Sequence, residues 1–326
     1  MKEVEKRVEQ TVDSVTEKSI APIFQRAFPC CTLTDATRLA GGLFNATWRV
    51  SLSDGEKYIL RVAPEQEHLF SYETHLMMAE QWAYSLCKAQ GIPVPEVLRV
   101  DTSGQYLKYP YMITRCINGM SLHQIPLSKE LQKDCYHDAG QMFRKMHSIQ
   151  GKRFGRLAQQ LKEGGFDTWS EAIFFELETW KRTAQPLNLI PNDEITAISH
   201  IFKEYSSVLD EIKLPCLVHG DLWNGNILAS IDGGKCKFQA LIDADHALFG
   251  DPEWDFSGEQ MLNASFEEGY GKGLDSSKHA YLRRRLYLLL YSMRQCYVFS
   301  ALLQDGCAAS KQKEHITKLL SQLSHM

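Results

Sequence analysis

The stretch Leu217-Val218-His219-Gly220-Asp221-Leu222-Trp223-Asn224-Gly225-Asn226-Ile227-Leu228 decides how this chain is read. An apolar strand enters, a polar turn exposes histidine, aspartate and asparagine, and an apolar strand leaves. A second unit follows: Ala240-Leu241-Ile242-Asp243-Ala244-Asp245, then Phe249-Gly250-Asp251-Pro252-Glu253-Trp254-Asp255. Asp232-Gly233-Gly234 between the two units signals a hairpin. Such a hairpin brings Asp221, Asn226 and Asp243 to one strand end. Two carboxylates and an amide suit a hard cation such as Mg²⁺, which takes oxygen ligands. The remaining carboxylate is left to orient a substrate hydroxyl.

Upstream of this region the texture is β-rich. Trp48-Arg49-Val50-Ser51-Leu52 alternates, Asp54-Gly55 turns, and Tyr58-Ile59-Leu60-Arg61-Val62 returns. A helix is expected over 65–90, stopped by Gly91 and Pro93, with strands over 94–100 and 106–116. Helical periodicity marks 127–149, 169–183, 194–212, 277–304 and 310–325. Residues 1–28 read as a leading amphipathic helix. The expectation is therefore an α+β chain of two lobes. Residues 1–116 form a small antiparallel sheet with one main helix, and 117–326 form a larger, mostly helical lobe. At roughly 100–200 residues per domain, 326 residues agree with two such units.

Composition removes other classes. The balance of 36 Lys and Arg against 40 Asp and Glu gives −4, with no basic excess for a nucleic-acid partner. The charged start at Met1-Lys2-Glu3 leads into no apolar stretch of a secretory signal, and no run approaches the ~20 residues of a membrane span. A cytoplasmic protein without nucleic-acid or membrane partners, monomeric or weakly dimeric, is expected. Its nine cysteines include no C-x-x-C pair, so they read as reduced, mostly packed thiols.

His219-Gly220-Asp221, Asn226, Ile242-Asp243, and Gly250-Asp251-Pro252 with Asp255 together resemble the aminoglycoside phosphotransferase family. That family has a protein-kinase-like fold and is related to choline and homoserine kinases. The resemblance covers about residues 36–260. It implies that Asp221 is the catalytic aspartate facing the acceptor hydroxyl, and that Asn226 and Asp243 hold Mg²⁺. His219 and Asp255 would support the catalytic loop. ATP is the implied donor, with GTP left open.

In the first lobe, the resemblance makes Gly41, Gly42 and Asn45 the nucleotide-covering loop. Small residues there free backbone N–H groups to approach phosphates. Arg61 stands where kinases carry a phosphate-contacting lysine. A guanidinium can make two bonds to phosphate but is the larger group. Glu80, with Glu73 as competitor, would be its ion-pair partner. Thr114 and Cys116 would flank the adenine edge.

Two features point to a small-molecule acceptor. Gly220 replaces the arginine that reads phosphorylation in protein kinases, and only a few residues separate Asp243 from Gly250. Residues 219–275 hold eleven acids and three lysines, a net of −8. An acidic cleft steers cations, which favours an aminoglycoside or other basic antibiotic, and hence a role in resistance. Glu259, Glu267 and Glu268 are the candidate acceptor rim. Trp169 reads as a core residue rather than a substrate contact. A kinase of choline, an amino alcohol or a sugar is the alternative. A catalytically silent nucleotide binder is another. A metallohydrolase built on His219, Asp221, Asp243, Asp245 and His246 is the last.

Overall fold

The computed structural model describes residues 15–39, 45–63, 70, 73–126, 128, 130–258 and 261–325, with Thr74 described by its backbone only. The chain divides into two units, residues 1–68 with 94–118, and 69–93 with 119–326. The third crossing, after Asn118, lies two residues beyond the boundary expected at 116.

The first unit is a five-stranded antiparallel sheet with one helix on it. Its elements are α1 (Glu17–Ala27), β1 (Leu33–Arg38), β2 (Ala46–Leu52), β3 (Lys57–Val62), β4 (Val97–Asp101) and β5 (Tyr111–Arg115), in sheet order β1-β2-β3-β5-β4. Alternation along β3 buries Tyr58, Leu60 and Val62. Ile20, Ile23 and Phe24 of α1 join them in one apolar cluster with Val50 and Ile113. Each such side chain removed from water contributes about 1.5–3 kcal/mol. A polar substitution at Phe24 would therefore detach the helix first. Of the expected leading helix, residues 1–14 lie outside the described residues. β5 is shorter than the expected 106–116 because Pro110 lacks the N–H a ladder requires.

The second unit begins with α2 (Leu76–Ala89), which clusters with this unit rather than with the sheet. Next come β6 (Met120–Ser121), α3 (Lys133–His147), β7 (Gly155–Arg156), α4 (Leu157–Glu163), α5 (Trp169–Ala184), α6 (Asn192–Glu204) and α7 (Ser206–Leu209). Then come β8 (Cys216–Val218), β9 (Ile227–Asp232), β10 (Lys235–Leu241), β11 (Leu248–Gly250), α8 (Ala264–Tyr270), α9 (Lys278–Tyr297) and α10 (Gly306–Leu323). Thr168 starts α5 with a capping box closed by Glu171. The helix expected over 194–212 instead breaks at Tyr205, which separates α6 from α7.

Two three-stranded antiparallel sheets place the chemistry-bearing turns. One has the order β10-β9-β6 and the other β7-β11-β8. The β9–β10 hairpin turns at Gly233 and Gly234, both at positive φ, as the Asp-Gly-Gly signal predicts. α3 and α8 touch backbone to backbone through glycines. A Cβ on Gly140 would lie 2.2 Å from the Phe266 carbonyl oxygen, and one on Gly269 would lie 1.9 Å from that of His137. That close approach brings the end of α3 to Tyr270.

Candidate active site

Strand β8 ends at Val218, and the chain then reverses through Gly220 at φ +82°. A Cβ there would sit 2.2 Å from the carbonyl oxygen of His246. No side chain fits, which explains physically why the arginine of protein kinases has no counterpart. The turn is held from behind by Asp255. Its Oδ2 accepts the N–H of His219 at 2.9 Å and its Oδ1 that of Gly220 at 2.8 Å. His147 Nε2, at the end of α3, lies 3.0 Å from the same Oδ2, and its Nδ1 lies 2.8 Å from the Tyr270 hydroxyl. His219 is fully buried, and its Nε2 lies 3.0 Å from the carbonyl oxygen of Ile242. The imidazole therefore ties the end of β8 to the end of β10.

Asp221, Asn226 and Asp243 converge. Ile242 N–H donates to the Asn226 carbonyl at 3.0 Å, continuing the β9–β10 ladder to the residue before Asp243. Asn226 Nδ2 donates to the Asp221 carbonyl at 2.8 Å and to its Oδ2 at 2.9 Å. Asp243 adopts φ +61° and ψ +46°, the left-handed region that a non-glycine residue occupies only when its surroundings force it. Burial pushes the Asp221 carboxyl above the ordinary carboxylate range. The neighbouring Asp243 adds to that, while Arg294 of α9 and the Asn226 amide oppose it.

Two amide hydrogens of Asn226 spent on Asp221 leave its side-chain oxygen as the group a cation would use. With the Asp243 carboxylate this is an all-oxygen donor pair, and it fits Mg²⁺, which takes one or two carboxylates and completes its shell with water and phosphate. The metallohydrolase set does not assemble. His219 Nε2 is bonded to a backbone carbonyl and His246 Nε2 contacts Arg294. Among the described residues, no group of three or more His, Cys, Asp or Glu side chains could hold a metal ion.

The other expected residues are distributed as follows. Gly41, Gly42 and Glu259 lie outside the described residues. In the first unit, Asn45 is half-buried just before β2, and Arg61 lies on β3 between Thr47 and Met112 of the adjoining strands. Thr114 is buried in β5, and the N–H of Cys116 is committed to the Lys57 carbonyl at 2.9 Å. In the second unit, Glu80 is fully buried on α2 and accepts the Tyr84 hydroxyl at 2.6 Å. Glu73 faces Arg294 at 3.8 Å instead. Glu267 lines a small separate cavity with Tyr270 and Lys272, while Glu268 is exposed on α8.

Part of the acidic excess of residues 219–275 is paired within the chain. Asp232 pairs with Lys237 at 2.5 Å, Asp251 with Arg283 at 2.9 Å, and Glu253 with Arg284. Asp255 is engaged by the His219–Gly220 turn. The cavity beside Gly220, about 30 Å³, is lined by Arg156 and Arg294 as well as Glu176, and by the rings of Trp180, Trp254 and Tyr291. That is a mixed lining, not an acidic one.

Sequence reasoning missed Tyr84, His147, Tyr270 and Arg294 as members of this constellation. Only Tyr84 carried a signal, since it lies four residues after Glu80 and so shares its helix face.

The profile of the phosphotransferase enzyme family matches residues 35–310. A "Probable ketoamine kinase" of Staphylococcus aureus is 24% identical over 299 residues, covering 87% of this chain and 94% of that protein. A fructosamine-3-kinase candidate from Thermobifida fusca has a similar structure, with a TM-score of 0.69 at 15% identity, covering 95% of this chain and all of that one. A variant of aminoglycoside phosphotransferase APH(4)-Ia, solved with AMP-PNP and hygromycin B, gives 0.65 at 19% identity, covering 93% and 98%. These neighbours share a protein-kinase-like fold with an antiparallel sheet followed by a helical part. By its sequence from Asp35 to Ser310, the chain belongs to the phosphotransferase enzyme family.

Proposed function

We propose that this protein transfers the γ-phosphoryl group of ATP, with Mg²⁺, to a hydroxyl of a small sugar-like acceptor, with ketoamines the first class to test. One observation carries the reading. Asp221 is held by Asn226 at the end of the hairpin that also presents Asp243. Asp221 is the group that orients the acceptor hydroxyl and receives its proton. An oxygen–phosphorus bond to the acceptor then forms as the bond to the bridging oxygen breaks, and ADP leaves. Asn226 and Asp243 would hold the metal. When bound, Mg²⁺ supplies neutralisation of phosphate charge. The rest is positioning by the protein, whose catalytic turn is fixed by Asp255 and His219.

The acceptor follows from charge and likeness together. Asp251 and Glu253, paired with Arg283 and Arg284, are not free to select a cation. The small cavity beside Gly220 carries two arginines against one carboxylate, so its lining does not favour a polycationic acceptor. The curated relatives named as ketoamine kinases point the same way. A basic antibiotic remains the second reading, favoured by the fold neighbour solved with hygromycin B.

The deciding experiment is ADP release with glycated amines, free sugars, choline and aminoglycosides as acceptors. A ketoamine should give the highest kcat/KM, and Asp221→Asn should lower turnover by about 10²- to 10⁴-fold. ATP binding without transfer to any of these acceptors would overturn the reading in favour of a silent nucleotide binder.

A further inference from the structure

Tyr84 sits on α2, one turn after Glu80, and is 3% exposed. Its hydroxyl lies 2.6 Å from Glu80 Oε1 and 2.9 Å from the backbone nitrogen of Asp243. The direction of both bonds is fixed. An amide N–H can only donate, so the tyrosine oxygen accepts from Asp243, and its single proton goes to the Glu80 carboxylate. A hydroxyl that donates to a carboxylate becomes a better acceptor, so the two bonds strengthen each other.

The residue held in this way needs holding. Asp243 is a non-glycine residue at φ +61°, a conformation that costs of the order of 1–3 kcal/mol and persists only when over-determined. The Ile242–Asn226 bond fixes the residue before it. The Tyr84 hydroxyl fixes Asp243 itself.

We propose that Tyr84 is a positioning residue, which ties the buried Glu80 to the backbone of Asp243 and holds that carboxylate in its metal-receiving orientation. The proposal rests on the reading of Asp243 as a metal ligand. It adds that metal binding is set up by α2 through one hydroxyl group. An aromatic ring at this place would fill the core without it. The oxygen is what the proposal concerns.

Tyr84→Phe removes that oxygen and keeps the ring. Two measurements test it. The first is amide hydrogen exchange across residues 242–245 in metal-free protein, expected to speed up about tenfold as a bond worth ~1.4 kcal/mol is lost. The second is the ratio of ATP dissociation constants without and with Mg²⁺, from calorimetry. That ratio should fall about 10- to 100-fold, with metal-free binding unchanged. Glu80→Gln weakens the same acceptor, and must move exchange in the same direction should Tyr84→Phe fail to fold. Unchanged exchange, or faster exchange with an unchanged ratio, overturns the proposal. Asp243→Asn is measured alongside. If it leaves the ratio intact, the metal-ligand reading itself has failed, whatever Tyr84→Phe shows.

Discussion

His147 Nε2 and Asp255 Oδ2 lie 3.0 Å apart, both side chains buried, and the Asp255 carboxylate also accepts two consecutive backbone N–H groups just before Asp221. Asp255 thus braces the His219–Gly220 turn, with His147 as the side-chain donor from α3. Replacing His147 by Leu leaves that carboxylate one donor short in a buried place, at a cost of about 1–3 kcal/mol. Thermal unfolding should show a lower Tm. Steady-state kinetics should show a reduced kcat with the KM for ATP unchanged, because the turn moves while nucleotide contacts stay. An unaltered Tm and kcat would remove His147 from this role.

Gly220 offers a sharper contrast. Its positive φ and the His246 carbonyl, 2.2 Å from where a Cβ would lie, make Gly220→Ala a backbone displacement. Gly233 also has positive φ, yet a Cβ there meets nothing within 4 Å. Both substitutions carry the left-handed penalty of about 1–2 kcal/mol. Only Gly220→Ala should also lose most of its activity and fall further in Tm. Equal behaviour of the two variants, in melting and in ADP release, would contradict this account of the turn.

The difference between what the sequence makes legible and what it hides follows from the range of the interactions. Asp232-Gly233-Gly234 predicts its hairpin because turn geometry is local, and that hairpin places Asn226 beside Asp243. Trp169–Ala184 is legible for the same reason, since Thr168 and Glu171 form a cap within four residues. The His147–Asp255 contact spans 108 residues and has no local signal. The pairing of Asp251 and Glu253 with arginines of α9 spans 32 and 31 residues, beyond any local pattern, so an acidic segment reads as an acidic cleft until its partners are placed.

Burial raises the Asp221 carboxyl, and this makes a prediction about pH. A raised value in the folded state means that folding takes up a proton. The favourable contribution is complete below the unfolded value of about 3.9 and is lost as pH rises through the folded value. In metal-free, nucleotide-free protein, Asp221→Asn should therefore match the wild type near pH 3–4. It should become the more stable of the two towards neutrality. Turnover should meanwhile fall by about 10²- to 10⁴-fold. Melting curves across this range check the sign. A variant less stable than the wild type at pH 7–8 would show that Asp221 is held as a favourable anion.

Trp169 tests whether an aromatic residue at the start of α5 serves the core or the acceptor. It is 2% exposed, and its Nε1 donates to the Tyr287 hydroxyl at 2.7 Å. Tyr287 in turn donates to Asp251 Oδ2 at 2.8 Å, where Arg283 Nε also arrives at 2.9 Å. The indole therefore closes a buried network that anchors α9. Trp169→Phe removes the N–H and part of the ring volume, which should cost about 1–3 kcal/mol and lower the Tm. Acceptor KM should stay within about twofold, because uniform substrate binding is not what the residue supplies. A Tm left in place while acceptor KM rises tenfold would mean that the indole touches substrate, and the core assignment would then be wrong.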